Sequence, residues 1–405
     1  HISQGSLHNI RGDLRLRDTS LFREDEDDVL LIDELSTHIK IERGLSNEQE
    51  PAQSDDWNFD LNNILCEIGA RELSLSRINI QYSAANECTE CGVTPAAEPA
   101  KPQFLIYIDS LDFSKTAPFV HFFSPVEFHE QLYRVIKPRG PMKDSSAVLR
   151  LDSLDMPINI VDYQLQTSLH QVGLNAINKI PEIRNFSADV QINPQSGFID
   201  IDSHDMSLHV SSLFRGSWPI TDLSGTFAWQ KDGTDWLLQG SHMIVANKHL
   251  KGTADVKLWI PEAGSMRDIF MDLSAYYHDA DIAYTSEYIP VEIMKDGLVQ
   301  WLDDAIVSGS GTDGGALFRG RFGHFPFDDY SGHMDIVFNT DQAVLEYMKD
   351  WPKLENIQAR LQFTGQGMWA ESNHVETLGA VGSTVNVDIE RFKKPVLQVS
   401  GEIAG

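Results

Sequence analysis

Apolar and polar residues alternate over most of this 405-residue chain, which predicts a mainly β protein. The expected form is a long twisted antiparallel β-sheet built from repeated hairpins, with a few short amphipathic helices. Two observations carry that expectation, and a third limits it. First, Ile220–Gly240 reads as one hairpin: Leu223, Gly225, Phe227 and Trp229 alternate with polar or small residues, Lys231-Asp232-Gly233 signals a turn, and Trp236-Leu237-Leu238 opens the return strand. Second, the same cassette recurs, with apolar or small residues three, five, seven and nine positions after an apolar one. It fits Leu7, Ile10, Gly12, Leu14 and Leu16, then Ile183, Phe186, Ala188, Val190 and Ile192, and again Leu354, Ile357, Ala359, Leu361 and Phe363. The copies have no fixed period, so they read as a reused unit and not a strict solenoid. Third, only two segments carry a convincing helical stripe.

Taken in order, residues 5–17 and 28–43 read as strands around an acidic run, Arg23–Asp28, expected to be a solvated hairpin tip. Asn47–Asp56 is a polar loop. Leu61–Ile68 has the spacing of a short helix, Glu72–Tyr82 alternates as a strand, and Phe104–Ile108 reads as a buried strand. Between those two strands lies a Pro-rich excursion at 84–99. Ser124-Pro125-Val126-Glu127 forms a capping box, and Phe128, Leu132, Val135 and Ile136 continue it as a helix near 124–137. From Ala147 to Ile260 the pattern is strand-like, including Phe198–Ile201 and Met206–Val210 as separate strands. A second amphipathic helix is expected near 290–307, with Met294, Leu298, Trp301, Leu302 and Ala305 on one face and Gly309-Ser310-Gly311 as its stop. Strands then resume at Ala316–Phe322, Gly332–Phe338, Ala359–Phe363, Thr384–Ile389 and Val396–Ile403. The expected division is a β-rich segment at 1–182 and a second β segment at 183–405.

Charge narrows the function. With 32 basic against 60 acidic residues, a formal −28, the chain lacks the cationic footprint of a nucleic-acid binder and repels anionic bilayers. Three cysteines are too few for a disulfide scaffold. A zinc site at Cys88-Thr89-Glu90-Cys91 would need two further ligands, and a redox motif would need a βαβ context. Cys88 and Cys91 are instead expected to form a small disulfide clamping the 84–99 loop in an oxidising compartment. No apolar run approaches the ~18 residues of a membrane span. Lacking a start Met and a signal peptide, the chain is expected to be a fragment of something larger.

No catalytic constellation emerges, and neither a cofactor nor a metal is expected. Gly309-x-Gly311-x-x-Gly314 spells a dinucleotide fingerprint, but it follows a helix and precedes a strand, so it reads as a loop. His204-Asp205 and His278-Asp279 are sequence neighbours, which on a strand places their side chains on opposite faces. The remaining question is what covers the apolar face. Either the sheet closes on itself as a sandwich or barrel, or it curls into a groove lined for an apolar ligand.

Ser212-Leu213-Phe214-Arg215-Gly216-Ser217-Trp218-Pro219, leading into Leu223-Ser224-Gly225, resembles the YhdP branch of the AsmA-like (AsmA, TamB, YhdP) envelope lipid-transport proteins. So do Tyr288-Ile289-Pro290, Trp301–Ile306, Gly320 and Phe325-Pro326-Phe327. Trp351-Pro352-Lys353-Leu354, Ala359-Arg360-Leu361, Phe363 and Leu378-Gly379-Ala380 continue the likeness, which runs over 183–405. Residues 1–180 carry only the hairpin pattern, and the Cys88–Cys91 loop has no place in the likeness.

That resemblance implies a half-open, taco-like β-groove in the periplasm, conducting phospholipid passively between inner and outer membranes and supporting outer-membrane integrity. The parent protein would be anchored in the inner membrane by an N-terminal transmembrane helix. The implied partners are phospholipid acyl chains and the two membranes; protein partners are unspecified and nucleic acid is not among them. An enzyme is not implied, and no catalytic residue carries over. On alternation, the expected groove lining is Leu14, Leu16, Val190, Ile192, Phe227, Trp229, Leu361 and Phe363. The rival is a closed β-sheet structural or tethering protein of the envelope without cargo.

Overall fold

The structure is a computed structural model; it describes residues 2–3, 6–7, 9–22, 29–43, 56–83, 101–116, 136–154, 160–176, 181–211, 214–289, 291–294 and 296–404. Outside them lie the expected hairpin tip at 23–28, most of the 47–56 loop, the Cys88–Cys91 pair and residues 124–135 of the capped helix.

The chain is mainly β, and it forms two compact units, His1–Ile177 with Phe186–Gly197, and Asn178–Asn185 with Phe198–Gly405. In the first unit a small ribbon, β1 (Ile2–Ser3) with β2 (Ser6–Leu7), precedes long strands that each pair antiparallel with the next. These are β3 (Asn9–Phe22), β4 (Val29–Arg43), β5 (Trp57–Ile68), β6 (Arg71–Ser83), β7 (Gln103–Asp112), β8 (Pro141–Leu151) and β9 (Ile160–Leu174). The chain crosses between the units within β10 (Glu182–Ile192) and β11 (Ser196–His209).

In the second unit an antiparallel meander runs through β12 (Trp218–Asp232), β13 (Asp235–Ala246), β14 (Lys251–Ile260), β15 (Phe270–Asp281) and β16 (Ile306–Arg321). It ends with β17 (His333–Leu345), β18 (Leu354–Thr364), β19 (Met368–Thr377), β20 (Ala380–Ile389) and β21 (Gln398–Ala404). Two short helices, α1 (Thr285–Tyr288) and α2 (Asp296–Ala305), interrupt the meander between β15 and β16.

The expected hairpin is present: β12 and β13 pair from Asp222↔Ala246 to Asp232↔Asp235, around a turn at Gly233 and Thr234. The three-residue step that opens the cassette also has a physical origin. Asn185 and Asn356 adopt φ of 60° and 52°, and each immediately precedes the apolar residue after the step, Phe186 or Ile357. Such a residue is the extra member of a β-bulge; it restores the following side chain to the original face and bends the strand. The pairing proves the face on β18: Ile357 lies opposite Ala343 and Leu354 opposite Leu345, so Leu354 and Ile357 share a face although three apart. The same device stands at His242 before Met243, Asp279 before Ala280, Gln342 before Ala343 and Thr384 before Val385.

Bulges also account for the misread elements. Leu61–Ile68 is not a helix but the second half of β5. Its Leu61, Ile64, Leu65, Ile68 spacing imitates a helical stripe because Asn63, at φ 53°, inserts a bulge between Leu61 and Ile64. The later helix is shorter than expected: it ends at Ala305, and β16 takes up the glycines of the supposed loop, with Gly309 at φ 138°. His278 and Asp279 do touch, Nδ1 to Oδ2 at 2.7 Å, because Asp279 is the left-handed bulge residue and leaves strict alternation. Phe198–Ile201 and Met206–His209 belong to one strand, β11, which stops short of Val210. Phe104–Ile108 is largely half-buried, with Leu105 exposed. β15 and β19 gave no clear strand signal, since Tyr276 and Trp369 sit among the polar residues and Ala275, Ala370 and Ser372 among the apolar ones.

A tight core is local. In the first unit Leu30, Ile32 and Cys66 are buried, packed by Leu21, Leu35, Ile68 and Leu73. Burial, together with the neighbouring Glu67 carboxylate, pushes the Cys66 thiol above its ordinary pKa.

Candidate functional site

The register of the second unit joins apolar residues of successive strands into rows, because directly paired residues project to the same face. One row runs Phe227, Gly240, Val256, Leu273, Phe318 and Met334. A parallel one begins Trp229, Leu238, Leu258 and Met271. Further along, Ala316, Ile336, Phe363, Met368 and Ile389 continue across β16–β20. Beside them run Tyr277, Gly314, Phe338, Leu361, Ala370 and Val387.

Small residues are placed where large ones need room. A side chain at Gly314 would meet the Tyr277 ring at 2.5 Å, and the burial of that ring raises its phenol above the usual tyrosine pKa. Phe338 and Phe363 stack with centroids 5.8 Å apart and planes at 9°. Side chains along these rows are mostly half-buried, not sealed as in a close-packed core.

The opposite face is mostly polar, with Ile244, Trp259, Tyr276 and Leu317 as exposed apolar exceptions. Gln239, Lys257, Asp272, Arg319 and His333 form one paired row, in which Arg319 reaches Asp272 at 3.4 Å. Gln362 donates to both Asp335 oxygens at 2.9 and 3.0 Å. The contrast is clearest on β14, where Gly252, Ala254, Val256, Leu258 and Ile260 are half-buried and every residue between them is exposed.

The first unit repeats this arrangement. Ile10, Ile41, Phe59, Ile80, Ile106 and Ala147 form one row, and Gly12, Ile39, Leu61, Ile78 and Ile108 the next.

The expected lining residues fall on such faces. Leu14 and Leu16 are half-buried on β3, with Leu16 opposite Leu35. Val190 is buried and Ile192 half-buried on β10, while Gln191 between them is exposed. Phe227 and Trp229 lie with ring centroids 6.5 Å apart. Leu361 pairs with Phe338 and Ala370, and Phe363 with Ile336 and Met368. Sequence reading missed most of the rows between these strands, notably Leu258, Leu273, Phe318, Ile336 and Met368. Their signal was the alternation within each strand; the register that joins them is not written in any one strand.

Among the described residues no three His, Cys, Asp or Glu side chains gather as a metal site, and no helix is long and apolar enough to cross a membrane. The latter says nothing of strands.

Comparison with known proteins points the same way as the geometry. The family model described as YhdP protein matches residues 1–405. The chain is 21% identical over 254 residues to a protein of Escherichia coli (strain K12) named "Intermembrane phospholipid transporter YhdP". That alignment takes in 62% of this chain and 20% of the relative, so the chain spans about a fifth of the curated relative it matches. No solved structure matches.

Proposed function

Since this chain belongs to the YhdP family, we propose that it is a periplasmic segment of a bridge conducting phospholipid between the inner and outer membranes along an apolar β-groove. The observation that carries the reading is the set of apolar rows held in register across successive strands, half-buried, with a mostly polar opposite face. An acyl chain gains about 0.8 kcal/mol for each methylene removed from water, so ten methylenes against such a face recover roughly 8 kcal/mol without any polar contact. Repeated rows offer many similar shallow positions, which suits movement along the face better than one deep pocket. The bulges bend the strands and favour a concave trough. The net charge of −28 keeps the outside soluble. Conduction of this kind is passive and uses no catalytic residue.

Photo-crosslinkers at Phe227, Leu361 and Phe363 should label phospholipid, and those at Thr226, Gln191 and Gln362 should not. Phe227→Asp or Val190→Arg should lower lipid passage at least tenfold while the circular dichroism of the sheet is kept. Equal labelling of both faces would sink the assignment of the lining, and lipid-free protein with unlabelled rows would instead assign the chain to a closed structural role.

A further inference from the structure

We propose that the cavity bounded by Arg215, Trp218, Lys248, His249 and Glu287 is a subsite for a phosphodiester headgroup bearing an ammonium group; the lipid as its source rests on the function proposed above. The cavity has a volume of about 350 Å³, enough for a small polar head. It lies at the end of the second unit's sheet where β12 begins, β13 turns into β14 and α1 closes over.

Its walls are fixed by their own hydrogen bonds. The Asn247 side-chain Oδ1 accepts from the backbone N–H groups of His249 and Leu250 at 2.8 and 2.9 Å, and its Nδ2 donates to the Tyr288 hydroxyl at 2.7 Å. The Trp218 indole donates to the Glu287 carbonyl at 2.9 Å, and its ring packs on Phe214 and Tyr288. His249 is 5% exposed, lies flat on Tyr284 at 3.5 Å, and its Nε2 is buried without a hydrogen-bond partner.

The charges sort by sign. In a chain of net charge −28, two cations meet here. Arg215 spends two of its N–H groups on Asp303, at 2.9 and 3.1 Å, and keeps the rest of its donors. Lys248 lies 5.7 Å from the Tyr284 ring centroid and forms no ion pair with a carboxylate among the described residues. These two suit phosphate oxygens. The Glu287 carboxylate, 3.8 Å from His249 Nδ1, adds a negative wall to the same cavity. A bare anion gains nothing from it, whereas the ammonium of a zwitterionic head does.

The test is calorimetric titration of the full-length protein with glycerophosphoethanolamine and, separately, inorganic phosphate. Lys248→Glu should weaken diester binding at least tenfold, and Lys257→Glu on the polar face of β14 should leave it unchanged. Glu287→Gln should weaken the diester about threefold or more and spare inorganic phosphate. Near-ultraviolet circular dichroism verifies that each variant is folded; Lys248 is chosen over Arg215 because it has no structural ion pair to lose. Unchanged diester affinity in the folded Lys248→Glu protein overturns the site. Equal affinity for both probes, indifferent to Glu287→Gln, overturns the headgroup assignment in favour of free phosphate. Crosslinking at Phe363 in the same proteins separates the two readings. Labelled rows with no diester binding remove only this site, and diester binding with unlabelled rows removes only the conduction reading.

Discussion

Thr384 holds φ at 50°, a region in which a β-branched side chain crowds its own backbone. Asn, His, Asp or Gln occupies the equivalent bulge position at Asn356, His242, Asp279 and Gln342. Thr384→Asn should therefore raise stability by about 1 kcal/mol, read as a higher urea midpoint at unchanged slope. A midpoint that falls would show that the Thr384 hydroxyl bond to Ser383 O, at 2.8 Å, outweighs the strain. Cys66 offers a second test at this scale. It is 3% exposed and its pKa is raised by burial, so the reactive thiolate is scarce and enclosed at pH 8. Peptide mapping after brief iodoacetamide treatment should find Cys66 unmodified in native protein and modified in urea; rapid native labelling would contradict the packing of Leu30, Ile32 and Cys66.

At the level of elements, the bulge explains both what could be read in the sequence and what could not. Alternation on β12, β14 and β18 was plain, because their inward and outward residues differ sharply in polarity. The three-residue step was visible as well, but its cause was a single residue in a left-handed conformation, and the chemistry of Asn63 or Asn356 permits that conformation without requiring it. Hence Leu61–Ile68 looked helical and folded as a strand. In the Ile220–Gly240 hairpin the left-handed position is Gly225, at φ 135°, where an added Cβ would lie 2.8 Å from His242 O and 2.9 Å from Met243 Cα. Both obstacles are backbone and cannot swing aside. Gly225→Ala should cost about 1–3 kcal/mol, measured by denaturant unfolding, whereas Gly233→Asn in the turn should be nearly neutral. Equal costs at the two sites would mean that the β12–β13 bulge tolerates a side chain.

For the whole molecule the decisive property is the phase of each strand. Which residues share the apolar face of a strand is legible one strand at a time, as for Phe227, Leu361 and Phe363, while the rows that join them require the register. The register makes a demand that alternation alone does not. If lipid moves along these faces, its contacts must follow a period of two on each strand and then slip by one residue wherever a bulge residue stands. On β18, crosslinkers should label at 363, 361, 359 and 357, fall silent at 362, 360 and 358, and then label at 354 and not at 355. On β10 the slip should fall at Asn185, between 186 and 183. On β17 it should fall at Gln342, with Thr340 and Ala343 both labelled. A plain sequence alternation would put 355 in phase with 357 and 354 out of it, so position 354 distinguishes the two. Labelling that keeps strict period two through Asn356 would sink the bulged register, and labelling without any period would sink the apolar face as the path.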